Sequence, residues 1–326
     1  MPAFHSHWTL VLAAGDGSRL STLTAGQAGE TIPKQFCSLR GGRTLLGDAL
    51  ARALATTPAA RVVAVVAEKH RRHWSGELDG LPPENVLVQP TNRGTAAGVL
   101  LPLLAILERD PRACIAILPS DHHVREEPVL RIALLLALQY ADRHASKVCL
   151  LGISPDSADS DYGWILPRDH CSTLSRVERF VEKPGTELAG FLMQQGALWN
   201  SFLVAASGQS LLALYEQRLP AMLAALSGIR GLQAEAREEE LRRVYEALSP
   251  ADFSRDLLQG SEVQLRVLAV PACGWTDLGT PRRVAQCLRA GRYGRIPPSL
   301  SDDTPVLYER LAAIRRRLRG QRVRST

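Results

Sequence analysis

The segment Leu10-Val-Leu-Ala-Ala-Gly-Asp-Gly-Ser-Arg-Leu20, with Ile32-Pro-Lys-Gln-Phe36 downstream, decides the fold of this 326-residue chain. Residues 9–13 are a short apolar run of the kind that forms a strand covered on both faces. The run empties into a turn where Gly15 and Gly17 leave main-chain N–H groups open to an anion, with no Cβ atoms in the way. Arg19 and Lys34 then supply the cations that phosphate oxygens require. A dinucleotide-binding turn is excluded because Leu20 fills the third glycine position of GxGxxG, and the GxxxxGK[ST] string of a P-loop does not occur. The glycines taken alone also fit a plain strand-to-helix turn.

Outward from this segment, strand and helix patterns alternate. Helices are expected over 44–56, 95–108 and 127–144, and strands over 61–67, 85–89, 113–118 and 147–152. Such alternation predicts an α/β fold: a doubly wound, mostly parallel Rossmann-like sheet with helices on both faces and ligands at the carboxyl ends of the strands. Beyond residue 153 the texture changes. Antiparallel strands are expected over 162–167 and 174–182, a further strand over 199–205, helices over 207–225 and 236–248, a late strand over 263–270 and a closing helix over 281–290. Pro297-Pro298 and the Ser/Asp-rich stretch after them mark the one boundary, separating a body from a basic C-terminal helical tail over 293–326.

Composition narrows the function classes. The net charge is +6, but residues 301–326 carry seven arginines against three acids, so the basicity is mostly a property of the tail. Tyr308 is the only aromatic residue of 301–326, and a tail without interleaved aromatics argues against nucleic acid as the partner. A solvated helix, or one packed on the body or on a second subunit, accounts for the tail, which leaves a homo-oligomer open. No uncharged apolar run reaches the roughly 18 residues of a membrane span, and the N-terminus has no signal-peptide pattern. The six cysteines form no CxxC pair, so reduced thiols and a cytoplasmic location are expected, with Cys114 and Cys149 in core strands.

Three strings carry candidate chemistry. In Leu118-Pro-Ser-Asp-His-His123, Asp121 follows a buried strand directly, where a Mg²⁺ ligand would meet a nucleotide phosphate; it also reads as a turn cap. The two histidines beside it point opposite ways on an extended chain and are assigned no metal. Val177-Glu-Arg-Phe-Val-Glu-Lys-Pro184 is an alternating strand whose end puts Glu182 and Lys183 on opposite faces, either as a sugar and phosphate grip or as a surface pair. Asp277, in Cys273-Gly-Trp-Thr-Asp-Leu-Gly279, either completes a Mg²⁺ site with Asp121 or caps the helix that Pro281 opens.

In this order, and together with Tyr162-Gly-Trp-Ile165 and Leu198-Trp-Asn-Ser201, these strings resemble the sugar-phosphate nucleotidyltransferases, most of all the bacterial mannose-1-phosphate guanylyltransferases. The resemblance covers about residues 8–290. It implies a nucleotidyltransferase domain over 1–292, with a nucleotide part to about 153 and a small antiparallel sugar-phosphate part over 154–292. It implies GTP and a sugar-1-phosphate as substrates, with UTP or dTTP and glucose-1-phosphate as the alternative pair, or a regulatory protein that binds nucleotide sugars without turning them over. On the nucleotide side it implies Ala14, Gly15, Gly17, Ser18 and Arg19 at the triphosphate, Lys34 at the reacting phosphates, and Gln89, Gly94 and Thr95 at the base and ribose. It puts Mg²⁺ on Asp121 and Asp277, and the sugar-phosphate on Gly163, Glu182, Lys183 and Asn200; Arg19, Lys34, Asp121 and Asp277 are then the catalytic set. The chain departs from the family pattern in the proline-poor loop from Leu20 to Ile32 and at Phe202, which stands where a glycine is usual.

Overall fold

In the computed structural model, which describes residues 6–17, 20–24, 31–39, 41–229 and 231–290, the opening strand lies third from one edge of a single nine-stranded sheet. This strand, β1 (His7–Ala13), runs parallel to β2 (Val62–Ala67) on one side and to β4 (Cys114–Pro119) on the other; β3 (Val86–Gln89) is the edge beyond β2. The order continues from β4 through β8 (Leu198–Ser207), β5 (Val148–Ile153), β9 (Leu265–Val270) and β7 (Leu174–Glu182) to β6 (Gly163–Pro167).

The strands carry apolar side chains on both faces, and each face has its own core. Trp8 and Leu10 pack on one side with helix α2 (Gly94–Arg109), while Val11 and Ala13 pack on the other with α1 (Leu45–Leu54) and α3 (Glu127–Arg143). The same alternation holds in β2, β4 and β5, so one residue of register slip would exchange the two cores. Caps fix where the helices begin: Thr44 accepts from Gly47 N at 3.0 Å ahead of α1. Ser207 accepts from Ser210 N at 3.0 Å ahead of α4 (Gly208–Arg218). Cys114 and Cys149 are fully buried, as expected.

Two expectations are corrected. The sheet is mixed rather than mostly parallel, because β8 enters antiparallel between β4 and β5 and the β6–β7 hairpin joins the same sheet through β9 and β8. An apolar strand buried on both faces has the same composition whichever way it runs. The helix expected over 207–225 is two, since Pro220 lacks an N–H and opens a new helix, α5 (Pro220–Ser227), after α4 has ended. Residues 253–258, unassigned from the sequence, form a π-helix, a type often found at functional sites. The expected C-terminal tail, Ser18, Arg19 and residues 25–30 of the long loop lie outside the described residues. Among the described residues no helix is long and apolar enough to cross a membrane.

Candidate functional site

The carboxyl ends of β1, β3 and β4 open into a cleft of about 340 Å³. Its walls include Ala14, Gly15 and Gly17 after β1, Gln89 at the end of β3, Gly94 and Thr95 at the start of α2, and Asp121 after β4. Seven residues assigned to the nucleotide from the sequence therefore meet in one place. Because β8 runs antiparallel, its first half also lies at this edge and brings Phe202 into the cleft.

The glycine turn is held by the segment that follows the long loop. Gln35 Nε2 donates to the carbonyls of Ala13 at 3.1 Å and Gly15 at 2.7 Å, so the Pro-Lys-Gln-Phe string braces the turn from behind. Gly17 has φ +62°, and a Cβ there would come within 2.6 Å of Lys34 N. Only glycine suits both demands. On the far wall Gly94 has φ +84°, its N–H donates to Asn92 Oδ1 at 2.9 Å, and a Cβ would collide with the carbonyl oxygen of Ala251. Thr95 Oγ1 accepts from Phe253 N at 2.8 Å and Gln89 Nε2 donates to Tyr245 Oη at 2.8 Å. One of the two Gln89 amide N–H donors is thus engaged.

Lys34 sits at the floor with 4% of its surface exposed. Its ammonium is 2.9 Å from Asp121 Oδ2 and also donates to the backbone oxygen of Asp277. The loops after β4 and β9 are joined beneath it by an antiparallel bridge, His123 N to Thr276 O and Thr276 N to His123 O, both 2.9 Å. That bridge brings Asp121 and Asp277 to opposite sides of one lysine although 156 residues separate them. Burial works to raise the Asp121 pKa, but the adjacent Lys34 charge outweighs it and holds the carboxyl down at about 2. Burial also pushes His122 down to about 4, so its imidazole is neutral at pH 7.

Asp277 is less open than the sequence suggested. Its Oδ1 accepts from Tyr162 Oη at 2.8 Å, Gly279 N at 2.9 Å and Arg283 Nη1 at 3.1 Å, and its Oδ2 lies 3.1 Å from the same guanidinium nitrogen. Burial alone would raise its pKa, and the neighbouring cations, Lys34 and Arg283 among them, bring it below the ordinary value. Among the described residues no group of three or more His, Cys, Asp or Glu side chains is arranged around a metal position. Two carboxylates, with substrate oxygens filling the other positions, are what Mg²⁺ ordinarily takes. Asp121, 36% exposed, offers one such donor at the cleft, and Asp277 Oδ2 meets a single protein donor, so each carboxylate keeps an acceptor position that a dication could use.

The residues assigned to the sugar-phosphate from the sequence cluster beside the cleft. Gly163 and Glu182 are paired across β6 and β7. Asn200 donates to Ser254 Oγ at 3.2 Å and accepts from Phe202 N at 3.1 Å. Glu182 is 7% exposed and its Oε2 has no hydrogen-bond partner. Burial, with Asp252 nearby, pushes its pKa up to about 7 against the pull of Lys183. Lys183 and Glu182 do not point to opposite faces as expected. Lys183 has φ +48°, which ends the strand alternation and leaves its ammonium 3.6 Å from Glu182 Oε1. Phe202 has φ +58° and its ring lies 5.6 Å from that of Phe253. A glycine-like conformation is therefore held by a phenylalanine. Tyr162, Gln35, Asp252, Ser254 and Arg283 were not assigned roles from the sequence. Each acts through a partner distant in sequence, which no local motif reveals.

Comparison with known proteins agrees with this geometry. The family model described as Nucleotidyl transferase matches residues 8–289. The xanthan biosynthesis protein XanB of Xanthomonas campestris pv. campestris is 29% identical over 275 residues, 83% of this chain and 57% of that protein. Mannose-1-phosphate guanylyltransferase ManC of Salmonella typhimurium is 30% identical over 286 residues, 84% of this chain and 58% of that one. A solved structure from Thermus thermophilus, described as a mannose-1-phosphate geranyltransferase, superposes with a TM-score of 0.75 at 28% identity, covering 87% of this chain and 79% of the other. The chain thus spans less than three fifths of the length of these curated relatives. Because the family model matches residues 8–289, most of its length, the chain belongs to the nucleotidyl transferase family.

Proposed function

We propose that this protein joins a nucleoside triphosphate to a sugar-1-phosphate, with GTP and mannose-1-phosphate as its substrates and GDP-mannose and pyrophosphate as its products. The observation that carries the reading is the buried Lys34 ammonium beside Asp121, at the floor of a cleft walled by the glycine turn. An oxygen of the sugar phosphate attacks the α-phosphorus, and the bond from that phosphorus to the bridging oxygen breaks as pyrophosphate leaves. The incoming phosphate is already an anion, so no protein nucleophile is needed, and the protein contributes alignment and charge neutralisation.

In this reading the N–H groups around Gly15 and Gly17 receive the triphosphate, and Lys34, with Arg19 from the sequence assignment, offsets charge growing on the leaving group. Gln89, Gly94 and Thr95 receive the base and ribose. Gly163, Glu182 and Asn200 receive sugar hydroxyls, and Lys183 meets the sugar phosphate. Mg²⁺ held by Asp121 and Asp277 would supply further neutralisation of the phosphates when bound. The names of the curated relatives support guanine and mannose over uracil or thymine and glucose.

The test is pyrophosphate release from four nucleoside triphosphates, each paired with several sugar-1-phosphates, in the presence of Mg²⁺. GTP with mannose-1-phosphate is expected to give the highest kcat/KM. Lys34→Met and Asp121→Asn should each lower turnover by about a hundredfold or more with the fold retained. Binding without turnover across all pairs would refute the catalytic reading, and a preference for another pair would refute the substrate assignment.

A further inference from the structure

Asp252 stands on the cleft wall beside the start of α2, just ahead of the π-helix over Phe253–Leu258. Among the described residues that line the cleft, it and Asp121 are the two carboxylates, and Asp121 is engaged by Lys34 at the floor. Asp252 Oδ1 accepts from Arg255 N at 2.9 Å, and Oδ2 accepts from Thr95 Oγ1 at 3.3 Å. Both donors are uncharged, and each oxygen keeps one of its two acceptor positions. Two adjacent oxygens with one opening apiece suit two adjacent N–H groups on a single ligand. Leu12, Val65 and Phe202 give the same cleft apolar surface on which a flat ring can lie. Thr95 ties the carboxylate to the segment proposed to receive the base.

The common bases differ in what they present to such a carboxylate. Guanine offers two neighbouring donors on one edge, N1–H and the 2-amino group. Adenine and cytosine set their amino group beside a ring nitrogen that accepts, and uracil and thymine flank their one N–H with carbonyls. A carboxylate attracts the first arrangement and repels the acceptors in the others. We propose that Asp252 is a specificity-determining residue that selects guanine, its two oxygens taking N1–H and the 2-amino group. This rests on the proposed binding of a nucleoside triphosphate in this cleft. The rival is a hold on ribose or sugar hydroxyls, since Asp252 also lies near enough to Glu182 to help raise its pKa.

The test is the Kd of the full chain for GTP, ITP and XTP by calorimetry, a readout that does not need turnover. ITP lacks the 2-amino group, and XTP carries a carbonyl in its place. The wild type is expected to bind ITP about tenfold or more weakly than GTP. Asp252→Asn keeps an oxygen for Arg255 N but turns the other acceptor into a donor, and should bind XTP more tightly than GTP. A variant that weakens all three nucleotides by one factor is what the ribose reading predicts, and unchanged affinity for all three is what the sugar reading predicts. Either result overturns the assignment, as does a wild type indifferent between GTP and ITP. The ITP comparison uses the wild type alone, so the test stands if Asp252→Asn does not fold, as a thermal melt would reveal. A wild type that binds UTP or dTTP in preference to GTP overturns the proposed substrates and the role of Asp252 together. A wild type that prefers GTP, with an Asp252→Asn variant that keeps this preference over XTP, removes the role of Asp252 alone.

Discussion

Replacing Glu182 with glutamine should make the protein more stable in alkaline buffer and leave it unchanged in mild acid. Glu182 is 7% exposed with one oxygen unpartnered, and its pKa is pushed from the ordinary 4.5 to about 7, chiefly by burial. Because the folded value is the higher one, the native state holds a proton that the unfolded chain has already lost between pH 4.5 and 7. Stability from this group is complete below 4.5 and falls as pH rises through 7. Each pH unit is worth about 1.4 kcal/mol, so the rise costs the wild type about 3 kcal/mol above pH 8. Glutamine resembles the protonated acid and does not titrate. Urea denaturation of wild type and Glu182→Gln at half-unit steps from pH 5 to 9 should show two curves that nearly meet in acid and diverge by about 3 kcal/mol in base, with the variant the more stable. Parallel curves would mean that Glu182 is solvated as an ordinary carboxylate, and the buried sugar-side acid would have to be given up. The variant should also raise the KM for the sugar-1-phosphate, the usual exchange of function for stability at a strained site.

Two further substitutions test the backbone of the cleft. Gly94→Ala, with φ +84° and a carbonyl in the way of its Cβ, should cost about 2 kcal/mol or more and weaken nucleotide binding, whereas Gly15→Ala, with nothing within 4 Å of its Cβ, should leave the melting temperature nearly unchanged. Equal melting temperatures for the two would contradict the placement of Gly94 against Ala251. Phe202→Gly should be more stable than Phe202→Ala by about 1 kcal/mol, because both lose the ring but only alanine keeps the left-handed strain at φ +58°. The reverse order in chemical denaturation would show that residue 202 is not strained.

What could be read from the sequence was what lies in one short stretch of chain. The strand and turn at residues 9–17, Lys34 and Asp121 stand in local patterns, Gln89 and Thr95 came from the family resemblance, and the fold brings them to one strand edge. Strand direction was not readable, since β8 has the same apolar run whether it lies parallel or antiparallel. The side-chain direction of Lys183 was misjudged because alternation holds only while φ stays negative. Arg283 was invisible for a different reason. Its partner Asp159 lies 124 residues upstream, with Tyr162 close behind, and nothing near Arg283 tells it apart from its neighbour Arg282.

The bridge between His123 and Thr276 also bears on the order in which the molecule can assemble. The first four strands could pair as soon as they leave the ribosome, but the floor of the site needs Thr276 and Asp277, which emerge more than 150 residues after Asp121. A nascent chain stalled before Thr276 has Asp121 and Lys34 without the backbone oxygen that Lys34 requires, and it leaves a buried ammonium short of one acceptor. Closing a loop of that length is slow compared with local pairing. Competence to bind nucleotide should therefore appear in one step, once Thr276 and Asp277 have emerged, instead of growing with chain length.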